Sequence, residues 1–247
     1  ALPMFKKFLR KNDVILVYIT GRNIGLIKQA IKEYDLPEPD YAIADVGTTI
    51  FCRQNRNYIE HKDWGQKILK DWDGYDWDSL NQVLEGIDDF RLQEKKHQKK
   101  AKLSYYTDKD SDRNKIIKAV QNELRCRNVK ATVIFSIDET AAVGLLDILP
   151  RSAGKKRALD HLIKFLKFDK DNVVCAGDSG NDLDLMLSGY KAVLVKNARK
   201  EVKAEVKKGA KKKGLRKKIY FAKGGFKGLN GNYLSGVLEG LDHFKLY

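Results

Sequence analysis

Residues 172–186, NVVCAGDSGNDLDLM, decide the fold. An apolar run through Ala176 reads as a buried strand. The hexapeptide Gly177-Asp178-Ser179-Gly180-Asn181-Asp182 reads as a tight turn, and a helix is predicted over 181–188. Two carboxylates and an amide crowd that turn, and its glycines let main chain approach a ligand. Hard oxygens at a strand end suit Mg²⁺, which keeps several waters and binds through one or two carboxylates plus a substrate phosphate. The plainer alternative is an acidic turn that caps its own helix.

Outward from this stretch the rhythm repeats. A helix is predicted over 155–167. Strands KAVLV (191–195) and IYFA (219–222) flank a basic helix, and a last helix covers 232–244. At the other end, ALPMFKKFLRK (1–11) places Leu2, Phe5, Phe8 and Leu9 on one helical face. VILVYIT (14–20) is the β-branched run of a strand buried on both faces, a helix spans 23–34, and YAIADVG (41–47) is a second buried strand. Alternating strands and helices indicate an α/β fold with a Rossmann-like, doubly wound parallel sheet. Between about 55 and 150 the character changes. Predicted helices near 77–89 and 111–125 alternate with strands at 102–107, 129–136 and 143–149, the last two antiparallel through IDETAA. An α+β domain inserted over 59–151 therefore interrupts a core made of 1–58 and 152–247.

The chain has 247 residues, of which 43% are hydrophobic, enough for a real core of one large domain or two modest ones. No apolar run approaches the ~18 residues a membrane span needs, and the first twenty residues lack a signal-peptide layout. Cys52, Cys126 and Cys175 sit far apart without a CxxC pair, as expected for free thiols in a reducing, cytoplasmic setting. The net charge of +15 invites a nucleic-acid reading. However, residues 199–218 hold eleven Lys/Arg against two Glu, and no aromatic residue interleaves them. That run is either a solvated lysine-rich helix, broken at Gly209 and Gly214, or a patch for a phosphate backbone. It offers no stacking platform.

Two further segments carry candidate chemistry. Thr20-Gly21-Arg22 follows the first strand, where a hydroxyl and a glycine turn at a helix start make either an anion site or a simple cap. Lys155 opens a helix after Gly154. The macrodipole disfavours a cation there, so it is either a solvated lysine or one that faces an anionic partner.

In order, VYITGR, the helix-opening Lys155 and CAGDSGNDLDLM resemble the haloacid dehalogenase-like phosphatases. PDYAIADVGTTI, KLSYY, LDILPRSAGKKRAL, VLVKNA and GVLEGLDHF are similar to sucrose-phosphatases and to the phosphatase-like domain of some sucrose-phosphate synthases. The resemblance implies that the insertion is a cap. It implies that Thr20 bonds the transferring phosphoryl oxygen, with Gly21 and Arg22 beside it, and that Lys155 pairs with nucleophile and phosphoryl group. Asp178 would ligate Mg²⁺, and Asn181 and Asp182 would hold the metal's waters and Lys155. Lys102 and the loop Gly47-Thr48-Thr49 match sugar-facing positions. The implied reaction is hydrolysis of a sugar phosphate, sucrose 6-phosphate, through an aspartyl-phosphate. The alternative is a non-catalytic domain associated with a sucrose-phosphate synthase.

The family's nucleophile lies in an Asp-x-Asp motif at the end of a first strand, and no such motif precedes VILVYI. Asp71-Trp72-Asp73, Asp76-Trp77-Asp78 and Asp110-Ser111-Asp112 lack a buried strand before them. Ile137-Asp138-Glu139-Thr140 falls in the cap hairpin, and Asp182-Leu183-Asp184 belongs to the acidic turn. The expectation is that the catalytic strand precedes Ala1 in a longer protein, or that the chain is a relic without it.

Overall fold

The computed structural model describes residues 1–138 and 141–247. Along the chain run α1 (Leu2–Lys11), β1 (Val17–Ile19), α2 (Ile24–Glu33), β2 (Tyr41–Ala44) and a hairpin of β3 (Thr49–Gln54) and β4 (Asn57–Glu60). Next come α3 (Lys62–Leu69), α4 (Trp77–Leu84), β5 (Phe90–Leu92), β6 (Leu103–Asp108), α5 (Arg113–Cys126), β7 (Ala131–Asp138) and β8 (Val143–Pro150). The chain ends with α6 (Lys155–Phe165), β9 (Val174–Gly177), the single turn α7 (Leu183–Met186), β10 (Lys191–Leu194), α8 (Lys200–Lys212), β11 (Ile219–Phe221) and α9 (Tyr233–His243). The architecture is the mixed α/β one that the sequence indicates. No helix among the described residues is long and apolar enough to cross a membrane.

The chain forms two compact units, with α2 and α6 divided between them. One comprises 1–16, 30–38 and 159–247. Its sheet is β11-β10-β9, parallel throughout. Here α1 packs Phe5 and Phe8 on Leu238 and Leu241 of α9, which realises the apolar face of the first eleven residues. Helix α8 buries Val202, Val206 and Ala210. It runs unbroken through Gly209, correcting the expected break. A Cβ there would sit 2.4 Å from Leu187, so this glycine serves close packing. Gly214, with φ +68°, lies just beyond the helix end in the left-handed conformation common there.

The other unit comprises 17–29 and 39–158 and holds two sheets. In the first, β1 and β2 are parallel, while β3 and β4 continue antiparallel. The sequence reading missed this hairpin. It also expected VILVYIT to be buried on both faces, whereas β1 has three residues, all half-buried, and Ile15 is exposed. Among the described residues β1 is bonded to β2 alone and forms one edge of this sheet. The second sheet, β5-β6-β8-β7, is antiparallel, as read for its last two strands. Leu103 and Tyr105 of β6 and Leu146 and Ile148 of β8 face Ile116, Val120 and Leu124 of α5, with Trp72, Leu80 and Leu84 completing the core. Burial of this apolar face is what fixes the register, since a one-residue slip would turn it outward.

The Asp-x-Asp pairs of this unit have local duties. Asp76 caps α4, Asp112 caps α5, and the Asp71 carboxylate accepts from Ser152 N at 2.5 Å. Of Ile137–Thr140, residues 139 and 140 lie outside the described residues.

Candidate functional site

In the 17–29/39–158 unit, the β1–β2 ladder continues past the strands. Thr20 N donates to Ile43 O (2.9 Å), Asp45 N to Arg22 O (3.0 Å) and Val46 N to Thr20 O (3.3 Å). This brings Thr20-Gly21-Arg22 beside the turn 45–47. The Thr20 hydroxyl accepts from Arg22 N at 3.2 Å, while the Asn23 side chain accepts from Leu26 N in the first turn of α2. Asn23 therefore does the capping. Gly21 and Arg22 are exposed.

DVG is not the end of a strand, as the sequence reading had it, but a left-handed turn. Asp45 (φ 50°), Val46 (φ 60°) and Gly47 (φ 93°) follow one another at positive φ. For Val46, β-branched, this conformation is strained, and strain of this kind concentrates at functional turns. Gly47 is obligatory. A Cβ on it would lie 2.3 Å from Gly154 C and 2.5 Å from Lys155 N. The 45–47 turn is thus seated directly on the main chain that opens α6, where Lys155 is half-buried. Trp64 Nε1 donates to Gly47 O at 3.1 Å and pins the turn from its other side. Thr48 is buried and its hydroxyl donates to Asp45 O, so it is committed to the turn itself.

Beside this turn lies a polar cluster. Burial pushes the Asp45 carboxyl up, and Lys99, Lys102 and the Thr49 side chain only partly offset that rise; Asp147 adds to it. Lys102 Nζ lies 3.3 Å from Asp147 Oδ1, which also accepts from Ser104 Oγ at 2.6 Å. Ser104 and Asp147 face each other across β6 and β8, on the sheet face opposite the apolar core. The sequence reading missed Asp45 and Asp147. The available signal was a lone carboxylate inside the apolar run LLDIL.

In the other unit, the acidic turn follows β9 as read. Asp182 is buried, and its Oδ2 accepts from Ser179 Oγ at 3.0 Å, so it braces the turn. A Cβ on Gly177 would meet Asp182 Oδ2 at 2.8 Å, which explains that glycine. Asp178 and Asn181 are exposed. Asn197 Nδ2 donates to Asp178 Oδ2 at 3.3 Å, and Asn197 Oδ1 accepts from Tyr233 N at 2.7 Å. Asn197 escaped the sequence reading as a site residue. An outward carboxylate steadied by an amide suits a hard cation that keeps its waters. Among the described residues, no three His, Cys, Asp or Glu side chains converge as a metal site.

The model of the sucrose-6F-phosphate phosphohydrolase family matches residues 1–245. A HAD-like hydrolase sequence of Nitrosococcus oceani is 43% identical over 97% of this chain and 64% of its own length. Sucrose-phosphatase 1 of Nicotiana tabacum is 32% identical over 78% of this chain and 44% of its own. Among solved structures, the sucrose-phosphatase of Synechocystis sp. PCC6803, in complex with sucrose and phosphate, shares the fold with a TM-score of 0.75. It is 24% identical, over 99% of this chain and 91% of that one. The chain thus spans between 44% and 64% of the length of these curated relatives. It belongs to the sucrose-6F-phosphate phosphohydrolase family.

Proposed function

We propose that this chain forms the phosphoryl-handling part of a Mg²⁺-dependent phosphatase that hydrolyses a phosphorylated disaccharide, sucrose 6-phosphate foremost. The observation that carries the reading is family membership across residues 1–245 together with an outward Asp178 at the end of β9. In this reading residues 1–58 and 152–247 are the core and 59–151 the cap, and the protein works in the cytoplasm. Thr20 hydrogen-bonds a phosphoryl oxygen, with Gly21 and Arg22 adjoining. Lys155 neutralises phosphoryl charge, and Asp178 holds Mg²⁺. The bound ion would supply further charge neutralisation to the transferring group. Asp182 braces the acidic turn, and Asn181, exposed beside Asp178, would hold the metal's waters.

Phosphoryl transfer asks a protein mainly for position and positive charge, and these groups supply both. The seat of Gly47 on the Gly154–Lys155 main chain fixes the height at which α6 begins, and with it the root of the lysine side chain. Lys102, Gly47, Thr48 and Thr49 are assigned to the sugar side. The buried Lys102–Asp147 pair offers a donor and an acceptor to sugar hydroxyls. The attack that would form an aspartyl-phosphate is assigned to none of the residues named here.

The test is phosphate release from sucrose 6-phosphate by the whole protein. Release that needs Mg²⁺ and is abolished by Asp178→Ala, with circular dichroism unchanged, is expected. Undiminished hydrolysis by Asp178→Ala would overturn the assignment of Asp178. Failure of the intact protein to hydrolyse any disaccharide phosphate would overturn the activity.

A further inference from the structure

We propose that the antiparallel-sheet segment carries a second, separate anion site for a small phosphorylated molecule. The site is a cavity of about 550 Å³ at the C-terminal end of α5, lined among others by Gln121, Arg125, Asn128, Lys130 and Arg151. Its size falls in the range of small-molecule pockets. Three cations from three places meet there. Arg125 comes from the last turn of α5, Lys130 from the loop before β7, and Arg151 from just past β8. All three are exposed, and none is ion-paired with a carboxylate among the described residues. Among the described residues, no acidic one lines the cavity.

The neighbouring acids are directed elsewhere. Glu123 pairs with Arg127. Asp71 accepts from Lys130 N through its main-chain oxygen, while its carboxylate takes Ser152 N. The cluster is also held in place, because Arg151 N donates to Lys130 O at 2.9 Å and ties two of the three cation-bearing residues together through main chain. The floor is apolar, formed by buried Leu124 and Val129 with Ala131. Two guanidinium groups and an ammonium above such a floor, with carboxamides of Gln121 and Asn128 as neutral donors, match a dianionic phosphate carrying a compact, less polar body.

This site is distinct from the polar cluster around Lys102. Leu124 and Val129 belong to the core on one face of the sheet, with Leu146 and Ile148. Asp147 and Ser104 alternate onto the other face. A ligand at the cavity therefore sits on the opposite side of the sheet from the Lys102–Asp147 pair. The inference does not depend on the catalytic reading.

The test uses the ¹⁵N-labelled whole protein in the Asp178→Ala background, so that hydrolysis cannot consume a probe. Inorganic phosphate and glucose 6-phosphate are titrated separately at constant ionic strength. The expected result is saturable shifts of the Gln121 and Asn128 side-chain and main-chain signals. Affinity should fall by about tenfold or more in Arg125→Gln/Arg151→Gln, with an unchanged melting temperature. Tighter binding of glucose 6-phosphate would identify a sugar phosphate as the ligand, and equal binding would identify phosphate alone. Absence of saturable shifts at these residues, or shifts unaltered by the double substitution, would overturn the proposal.

Discussion

Asp45 and Glu239 are both buried carboxylates, 3% and 7% exposed, one in each compact unit, and their surroundings treat them in opposite ways. Burial alone would raise Glu239. Hydrogen bonds from Lys223 N, Tyr220 OH and Gly224 N, at 2.8, 2.8 and 2.9 Å, outweigh burial and hold the carboxyl below the usual glutamate range. Glu239 is a fastener for the glycine-rich loop that follows β11. At Asp45 burial wins, and the carboxyl titrates above the usual aspartate range despite Lys99 and Lys102 nearby. It also sits in a left-handed turn. A charge kept where folding would be easier without it marks a group retained for what it does rather than for stability.

The sharpest way to break this contrast is Glu239→Ala. It strands a tyrosine hydroxyl and two main-chain N–H groups, and should lower unfolding free energy by about 3 kcal/mol or more in urea titrations. The loss should depend on pH. Because the folded-state value is depressed, the carboxylate's contribution is full above its unfolded value near 4.5 and disappears as pH falls through the folded one. An Ala variant as stable as the parent at neutral pH would show that Glu239 fastens nothing.

Gly47→Ala comes next, at about 2–4 kcal/mol, because it combines positive φ with a Cβ placed on the Gly154–Lys155 main chain. A neutral result in the same titration would mean that the turn is not seated as described. Asp45→Asn should move stability the other way, by about +1 kcal/mol at neutral pH. Since the folded-state value is raised, the cost of the ionised Asp45 grows as pH rises through the unfolded value near 3.8 to the folded one. The gain from Asn should therefore vanish at lower pH. Destabilisation by Asn at neutral pH would put Asp45 in the same class as Glu239.

The smallest effect is expected on α8. Glu in place of the exposed Lys207, Lys208, Lys211 and Lys212 should leave sugar-phosphate affinity unchanged at high salt, with at most a salt-screened change in association rate. A loss of affinity that persists at high salt would place this helix at the site.

The elements that a sequence shows clearly are those whose burial is one-sided and periodic. Phe5 and Phe8 of α1 and Val202, Val206 and Ala210 of α8 announce themselves in this way, while β2, β9 and β10 show as continuous apolar runs. The hairpin TIFCRQ–NYIE did not, because its residues are half-exposed and mixed in polarity and Asn55 at φ 57° makes the turn without a glycine. At the site, the acidic turn was legible because its chemistry is contiguous. Asp45, Asp147 and Asn197 were not, because each depends on a partner distant in sequence: Lys102 for the two acids and Asp178 for the amide. The left-handed run through Val46 was illegible for a further reason: its conformation is imposed by the seat on residues 154–155, against what a valine prefers alone.

The three free thiols differ enough to serve as tools. Cys175, buried on β9, is pushed up to about 12 and is unreactive as a thiolate at neutral pH. Cys52 is partly covered, with its thiol directed at Arg53 O. Cys126 is exposed at the end of α5, one residue from Arg125. A thiol-reactive fluorophore added in limiting amount would therefore mark Cys126 first. The wild-type chain thus comes with an optical reporter site on α5, next in sequence to Arg125 of the cavity lining, with no cysteine to add or remove.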